Sequence, residues 1–121
     1  MGRIRRPAVA GSFYPGTPGE LEATLRGYLD DVQPAASGNP PKAVIAPHAG
    51  YIYSGAVAAS AYMRLAALRD EIERVVLLGP AHRVAVRGLA APESDAFATP
   101  MGRVRLDREA LERALRTSRE G

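Results

Sequence analysis

Apolar residues recur at helical spacing from Pro18 onward, where Leu21, Leu25, Tyr28, Leu29 and Val32 fall on one face. The start of that helix is marked by Thr17 as a cap, Pro18 at the first helical position and Glu20 completing a capping box. Pro34 ends it, and residues 35–41 read as a loop. Two further stretches, Lys42–Ala46 and Arg74–Gly79, are continuous apolar runs with β-branched residues. They do not alternate apolar with polar, the pattern of a strand buried on both faces of a parallel sheet. Each is followed by a proline, Pro47 or Pro80. Between them the sequence predicts a loop over 48–53 and a helix capped by Ser54 that runs to about Leu68. Val57, Ala61, Met63 and Leu65 are its packing residues. Strand, helix and strand at this spacing form a βαβ unit with a right-handed crossover.

The flanks carry shorter signals. Ile4 and Val9 within residues 3–10 suggest a short strand or arm, and the Gly, Pro and aromatic residues of 11–16 suggest a shaped loop. Val84, Val86 and Leu89 predict a further strand over 84–91. Pro100 and Gly102 sit between apolar positions of Phe97–Leu106, which reads as a small hairpin or an extended excursion. Asp107 is placed to cap a last helix with Leu111 and Leu115 on its inner face. The fold class expected is α/β, a mostly parallel sheet flanked by helices.

Composition narrows the function classes. The 121 residues suit one domain, 1–121, and 46% hydrophobic with 24% charged residues is ordinary for a globular protein. The absence of cysteine excludes disulfides, thiolate metal ligands and a cysteine nucleophile from this chain. The formal charge is +3. Arg3, Arg5 and Arg6 cluster near the start, while Arg108, Arg113, Arg116 and Arg119 interleave with Asp107, Glu109, Glu112 and Glu120, the pattern of a solvated helix face. No basic stripe carries interleaved aromatics, so no nucleic-acid partner is expected. No apolar run reaches membrane-spanning length, and the N-terminus lacks the apolar stretch of a signal peptide, so the expectation is a cytoplasmic protein with no membrane partner.

The chemistry concentrates on two histidines, the only two present. His48 follows Ile45-Ala46-Pro47, and His82 follows Leu78-Gly79-Pro80-Ala81, each just beyond a predicted buried strand. Ligands of open parallel sheets bind at the carboxyl ends of strands. If the two strands are neighbours, their tips lie roughly 5 Å apart, within reach of one shared ligand. Imidazole is the commonest metal ligand, and two histidines with a carboxylate or thiolate bind Fe(II), Zn or Cu. The plainer alternative is a pair of hydrogen-bonding loop histidines. Glu93 and Asp95 are candidate carboxylate donors but read as solvated loop residues, and Ser54 reads as a cap instead of a nucleophile. Gly79–His82 lacks the lysine and Ser/Thr of a phosphate-binding loop.

Three segments carry a resemblance: Ala10-Gly11-Ser12-Phe13-Tyr14, Ile45 through Gly55 with its PHAGYIYSG core, and Leu78-Gly79-Pro80-Ala81-His82. In order and spacing they resemble the successive motifs of the MEMO family, whose prokaryotic members are called AmmeMemoRadiSam system protein B. Ala98-Thr99-Pro100-Met101-Gly102 resembles that family's later TP turn. The similarity covers nearly the whole chain. It implies an α/β fold similar to class III extradiol dioxygenases of the LigB type, which hold non-haem Fe(II) with two histidines and a carboxylate. By that likeness His48 and His82 are metal ligands, with Fe(II) or Cu as the cofactor. Phe13, Tyr53 and Tyr51 are implied pocket residues, with Tyr53 favoured over Tyr51, and Phe13 stands where the family usually has tryptophan, keeping the aromatic wall and losing the indole donor. Phe13 and Tyr14 serve equally well as plain core anchors.

The family's third ligand and its pocket histidine lie in a C-terminal half that these residues do not include. The chain therefore reads as an incomplete N-terminal half, whose few strands leave apolar surface uncovered without a partner. Three readings stay open. One is a metal-dependent oxidoreductase, dioxygenase-like if it is an enzyme at all. The second is a non-enzymatic module recognising a phosphorylated or anionic partner such as a phosphopeptide. The third is an inactive fragment. The partners left open are an unknown small molecule, such a phosphopeptide, a second copy in a homo-oligomer, or the missing half.

Overall fold

A computed structural model describes residues 2–33 and 38–119. The predicted helix stop at Pro34, the start of the loop after it and Glu120 lie outside the described residues. The chain forms two compact units, one of residues 8–75 and one built from both ends, 1–7 with 76–121.

In the unit of residues 8–75, helix α1 spans Pro18–Asp30 and helix α2 spans Tyr51–Met63, and the two pack together. The periodic face of α1 is the one turned inward: Leu21 is buried, and Leu25, Tyr28 and Leu29 are half-buried. Pro18 opens α1 as expected. Thr17 precedes it in extended conformation, but its side chain makes no capping hydrogen bond, so the expected capping box is not formed.

α2 corrects the sequence reading in two ways. It begins three residues before Ser54, with Gly50 as the cap position. Ser54 is a buried residue inside the helix, its hydroxyl donating to the Ala49 carbonyl at 3.1 Å. The early start moves the packing face. Ser54, Gly55, Ala58 and Ala59 turn inward, while Val57, expected to pack, is exposed. α2 ends at Met63 and a short 3₁₀ turn covers Ala66–Leu68.

The other unit holds a three-stranded mixed sheet in the order β1-β2-β3: β1 is Ile4–Arg5, β2 Ala96–Thr99 and β3 Gly102–Arg105. β1 lies parallel to β2 with Ile4 opposite Ala96, and β2 runs antiparallel to β3. The predicted hairpin is present. Pro100 and Met101 connect its strands, and the Thr99 hydroxyl donates to the Gly102 carbonyl and accepts the Met101 amide. Gly102, at φ 132°, takes a conformation that side-chain-bearing residues rarely adopt. Ala96 is the buried centre of this sheet. The Arg5 guanidinium lies 5.5 Å from the centroid of the Phe97 ring.

Helix α3, Arg108–Arg119, follows β3, and its Leu111 and Leu115 are half-buried as predicted. Asp107 caps it, one carboxylate oxygen accepting the Ala110 amide at 3.0 Å. Asp107→Ala is expected to lower the stability of this unit by about 1 kcal/mol, read as a shifted urea midpoint at unchanged slope.

The α/β class holds, but three predicted strands are absent. Residues 42–46, 74–79 and 84–91 form neither strand nor helix. Ile45 is 99% exposed, and Val75, Val76, Leu77 and Leu78 are 75–80% exposed. A strand that buries both faces needs a laddered neighbour strand and apolar cover on both sides; among the described residues no strand pairs with these runs, and of their residues Val44, Ala46 and Ala91 are half-buried while the rest are exposed. The expected βαβ crossover is accordingly not formed.

Candidate functional site

The unit of residues 8–75 has an open cavity of about 300 Å³ between the shaped loop, α1 and α2. Phe13, Tyr14, Tyr28, His48, Tyr51 and Ser54 are among its walls. The volume is at the lower end of small-molecule pockets. No lysine, arginine or carboxylate lines it.

Each wall has a local cause. Gly11, at φ 84°, lets the loop turn back so that its amide donates to the Tyr14 carbonyl at 2.7 Å. The amides of Ser12 and Phe13 donate to the Val9 carbonyl, which fixes the Phe13 backbone. The Phe13 carbonyl in turn accepts the Tyr51 amide at 2.8 Å, joining the loop to the first turn of α2, where amides lack partners within the helix. From α1, the Tyr28 hydroxyl donates to the Tyr51 carbonyl at 2.9 Å. The Tyr28 ring meets the Tyr51 ring edge-on, with centroids 6.2 Å apart, and Tyr14 lies tilted against Tyr51 at 5.5 Å.

Gly55 lets α1 and α2 close on this arrangement. A Cβ at Gly55 would lie 2.9 Å from two carbons of the Tyr28 ring, closer than such atoms approach. In the sequence, Tyr28 stands out only by its place on the inner face of α1, and Gly55 only by the motif that ends in it. The usable signal was the pairing of an inward-facing aromatic with a mid-helix glycine, because glycine is unfavourable in a helix unless something comes close.

Of the expected site residues, His48, Phe13 and Tyr51 meet at this one cavity. His48 is an exposed residue of its wall. Tyr53 lies outside the lining and is 84% exposed. The reason is helical geometry: two residues along α2 is a turn of about 200°, so Tyr51 and Tyr53 leave opposite faces. His82 belongs to the other unit, in an exposed segment with no regular structure. Asp95 and Glu93 are occupied with Arg3. Asp95 accepts the Arg3 amide at 2.8 Å, and Glu93 forms an exposed ion pair with the Arg3 side chain. Among the described residues, no three histidines or carboxylates gather into a metal-binding group.

Burial raises the pKa of the Tyr51 phenol above its ordinary value, with smaller contributions from Tyr14 and Tyr62. A raised phenol pKa means that, above the ordinary tyrosine range near pH 10, the unfolded chain gives up this proton while the folded chain keeps it. Stability contributed by the neutral phenol is therefore present below that range and lost as pH rises through it. Thermal melts between about pH 9 and about pH 11 should show falling stability, with a shallower fall in Tyr51→Phe. Equal slopes for the two proteins would contradict the assignment.

Residues 5–120 match the family model described as Memo-like protein. A MEMO1 family protein of Aquifex aeolicus (strain VF5) is 44% identical over 114 residues, which is 94% of this chain and 40% of that protein. A MEMO1 family protein of Nitrosopumilus maritimus (strain SCM1) is 35% identical, over 96% of this chain and 43% of its own length. Protein MEMO1 of Homo sapiens is 37% identical over 105 residues, 87% of this chain and 34% of that protein. The chain thus spans 34–43% of the length of these relatives.

Proposed function

The chain belongs to the Memo-like protein family, and on that premise we propose that it carries part of a metal-dependent redox pocket, with His48 and His82 as two ligands and the aromatic cavity beside His48 as the binding space. The observation that carries the reading is the meeting of His48, Phe13 and Tyr51, three residues from two separate motifs, at one cavity. The partnership of His82 with His48 is supported by the motifs alone.

Two neutral imidazoles suit Fe(II) or Cu, but a stable site needs a third donor. The described residues group no such donor with the histidines. When bound, the metal would supply redox or Lewis-acid chemistry. The chain's own contribution is positional. Tyr28 holds the first turn of α2 through the Tyr51 carbonyl, the Phe13 carbonyl holds it through the Tyr51 amide, and the tyrosine rings present apolar faces to a guest. A small molecule with an apolar or aromatic part fits such walls. The alternative reading, a module for a phosphorylated or anionic partner, has thinner support, because the lining contains no cationic side chain to pair with an anion.

Titration of Fe(II), Cu and Zn into the purified chain tests the proposal. Weak binding is expected, weakened further by at least about tenfold in both His48→Ala and His82→Ala, each substitution removing one donor. Binding that neither substitution changes would reject the ligand assignment.

A further inference from the structure

We infer that Tyr14 and Tyr51 form an oxidative coupling site, where a one-electron oxidant, such as a peroxide-derived radical, joins the two rings by a carbon–carbon bond. Neither histidine takes part, so the metal titration above and the experiment below succeed or fail separately.

Composition places the readily oxidised groups in one part of the molecule. The chain has five tyrosines and no tryptophan, and it has no cysteine to be oxidised ahead of them. Four of the five, Tyr14, Tyr28, Tyr51 and Tyr62, line the open cavity beside α2. An oxidant entering that cavity meets phenols on several sides.

Geometry singles out one pair. The Tyr14 and Tyr51 ring centroids lie 5.5 Å apart with their planes tilted by 37°, within the range of direct ring contact. The backbone builds this approach. The Gly11 amide donates to the Tyr14 carbonyl at 2.7 Å, and the carbonyl of the adjacent Phe13 accepts the Tyr51 amide at 2.8 Å. Both tyrosines are half-buried, so each finds its partner within the chain before it meets the ring of another molecule. Tyr28 also approaches Tyr51, but edge-on at 84° and with centroids 6.2 Å apart. Its hydroxyl donates to the Tyr51 carbonyl, an oxygen too weakly basic to take the proton that oxidation releases. Tyr53 is 84% exposed, and no ring pairs with it among the described residues.

The step balances as follows. Each phenol gives one electron to the oxidant and one proton to solvent at the mouth of the cavity. The two phenoxyl radicals join through ring carbons next to the oxygens. The hydrogens on those carbons return to the oxygens as the rings regain aromaticity. Two phenols thus become one dityrosine, two equivalents of oxidant are reduced and two protons are released. The new bond ties the loop of residues 11–16 to the first turn of α2 across the cavity wall.

The test applies photogenerated tris-bipyridyl ruthenium(III), a soluble one-electron acceptor, to a dilute solution of the 121-residue chain. The expected product is a monomer with dityrosine fluorescence and a mass lower by two hydrogen atoms. Cleavage after lysine and arginine should leave the peptide carrying Tyr14 linked to the peptide carrying Tyr51. Tyr14→Phe and Tyr51→Phe should each lose this product, whereas Tyr28→Phe and Tyr53→Phe should keep it. All four substitutions retain the ring, so the packing is preserved. The unchanged chain oxidised in urea is the second measurement, because unfolding removes the pairing and should scatter the linkages among all five tyrosines. Coupling that survives in Tyr14→Phe or Tyr51→Phe would overturn the inference. So would one and the same linkage pattern in the folded and the unfolded chain, dityrosine found only between molecules, or no dityrosine at all.

Discussion

Gly55→Val should lower the stability of the unit of residues 8–75 by about 2–4 kcal/mol, even though valine is the better helix former. A Cβ at this position would sit 2.9 Å from the Cε2 and Cζ atoms of Tyr28. A ring at the end of a free side chain would swing away at little cost. This ring is tied down, because its hydroxyl donates to the Tyr51 carbonyl at 2.9 Å and its edge meets the Tyr51 ring. Moving it forfeits a hydrogen bond worth about 1 kcal/mol, added to overpacking of about 1–3 kcal/mol. Gly27, in the last turn of α1, is the internal control, since a Cβ there meets nothing within 4 Å. Gly27→Ala should therefore gain up to about 1 kcal/mol from helix propensity alone. Urea melts of the two variants should move in opposite directions. If Gly55→Val proves as stable as the parent, the close approach of the two helices is not the constraint described above. The same variant should also disturb the cavity, because Tyr28, Tyr51 and Gly55 all line it.

Leu21→Ala should cost about 2–4 kcal/mol, the range for truncating a buried leucine. Leu21 is 4% exposed, the lowest value among the core residues, and the core is small. Beside it, among the described residues of the unit of residues 8–75, only the Ala59 side chain is comparably buried and apolar. A domain of this size has a stability of about 5–15 kcal/mol at best, so the loss is a large fraction of the total. Thermal unfolding of the variant should shift down by roughly 10 °C or more on the scaling for small domains. A shift within the error of the parent would mean that Leu21 sits in a site able to collapse around the smaller side chain.

Much of the local structure was legible in the sequence. The inward face of α1 follows from the spacing of Leu21, Leu25, Tyr28 and Leu29, and the structure turns those residues inward. The cap at Asp107 and the hairpin around Pro100 and Gly102 also appear as read. These features depend on interactions a few residues long, where side-chain chemistry and backbone preference act directly. The motif residues Phe13, His48 and Tyr51 were also identifiable, and they line one cavity.

Longer-range features depended on tertiary structure. The start of α2 at Tyr51 follows from the Phe13 carbonyl accepting the Tyr51 amide, a contact across 38 residues that no local cap predicts. That shift turned Tyr51 into the cavity, left Tyr53 in solvent and converted Ser54 from an expected cap into a buried helix residue. The apolar runs at 43–46 and 75–78 show the same limit more sharply. Their composition declares strand preference, but a β-strand is completed by hydrogen bonds to another segment, and no described segment pairs with them. Composition sets what a segment favours, and helices and turns realise it from within. A strand realises it only when distant polypeptide supplies the ladder and the cover.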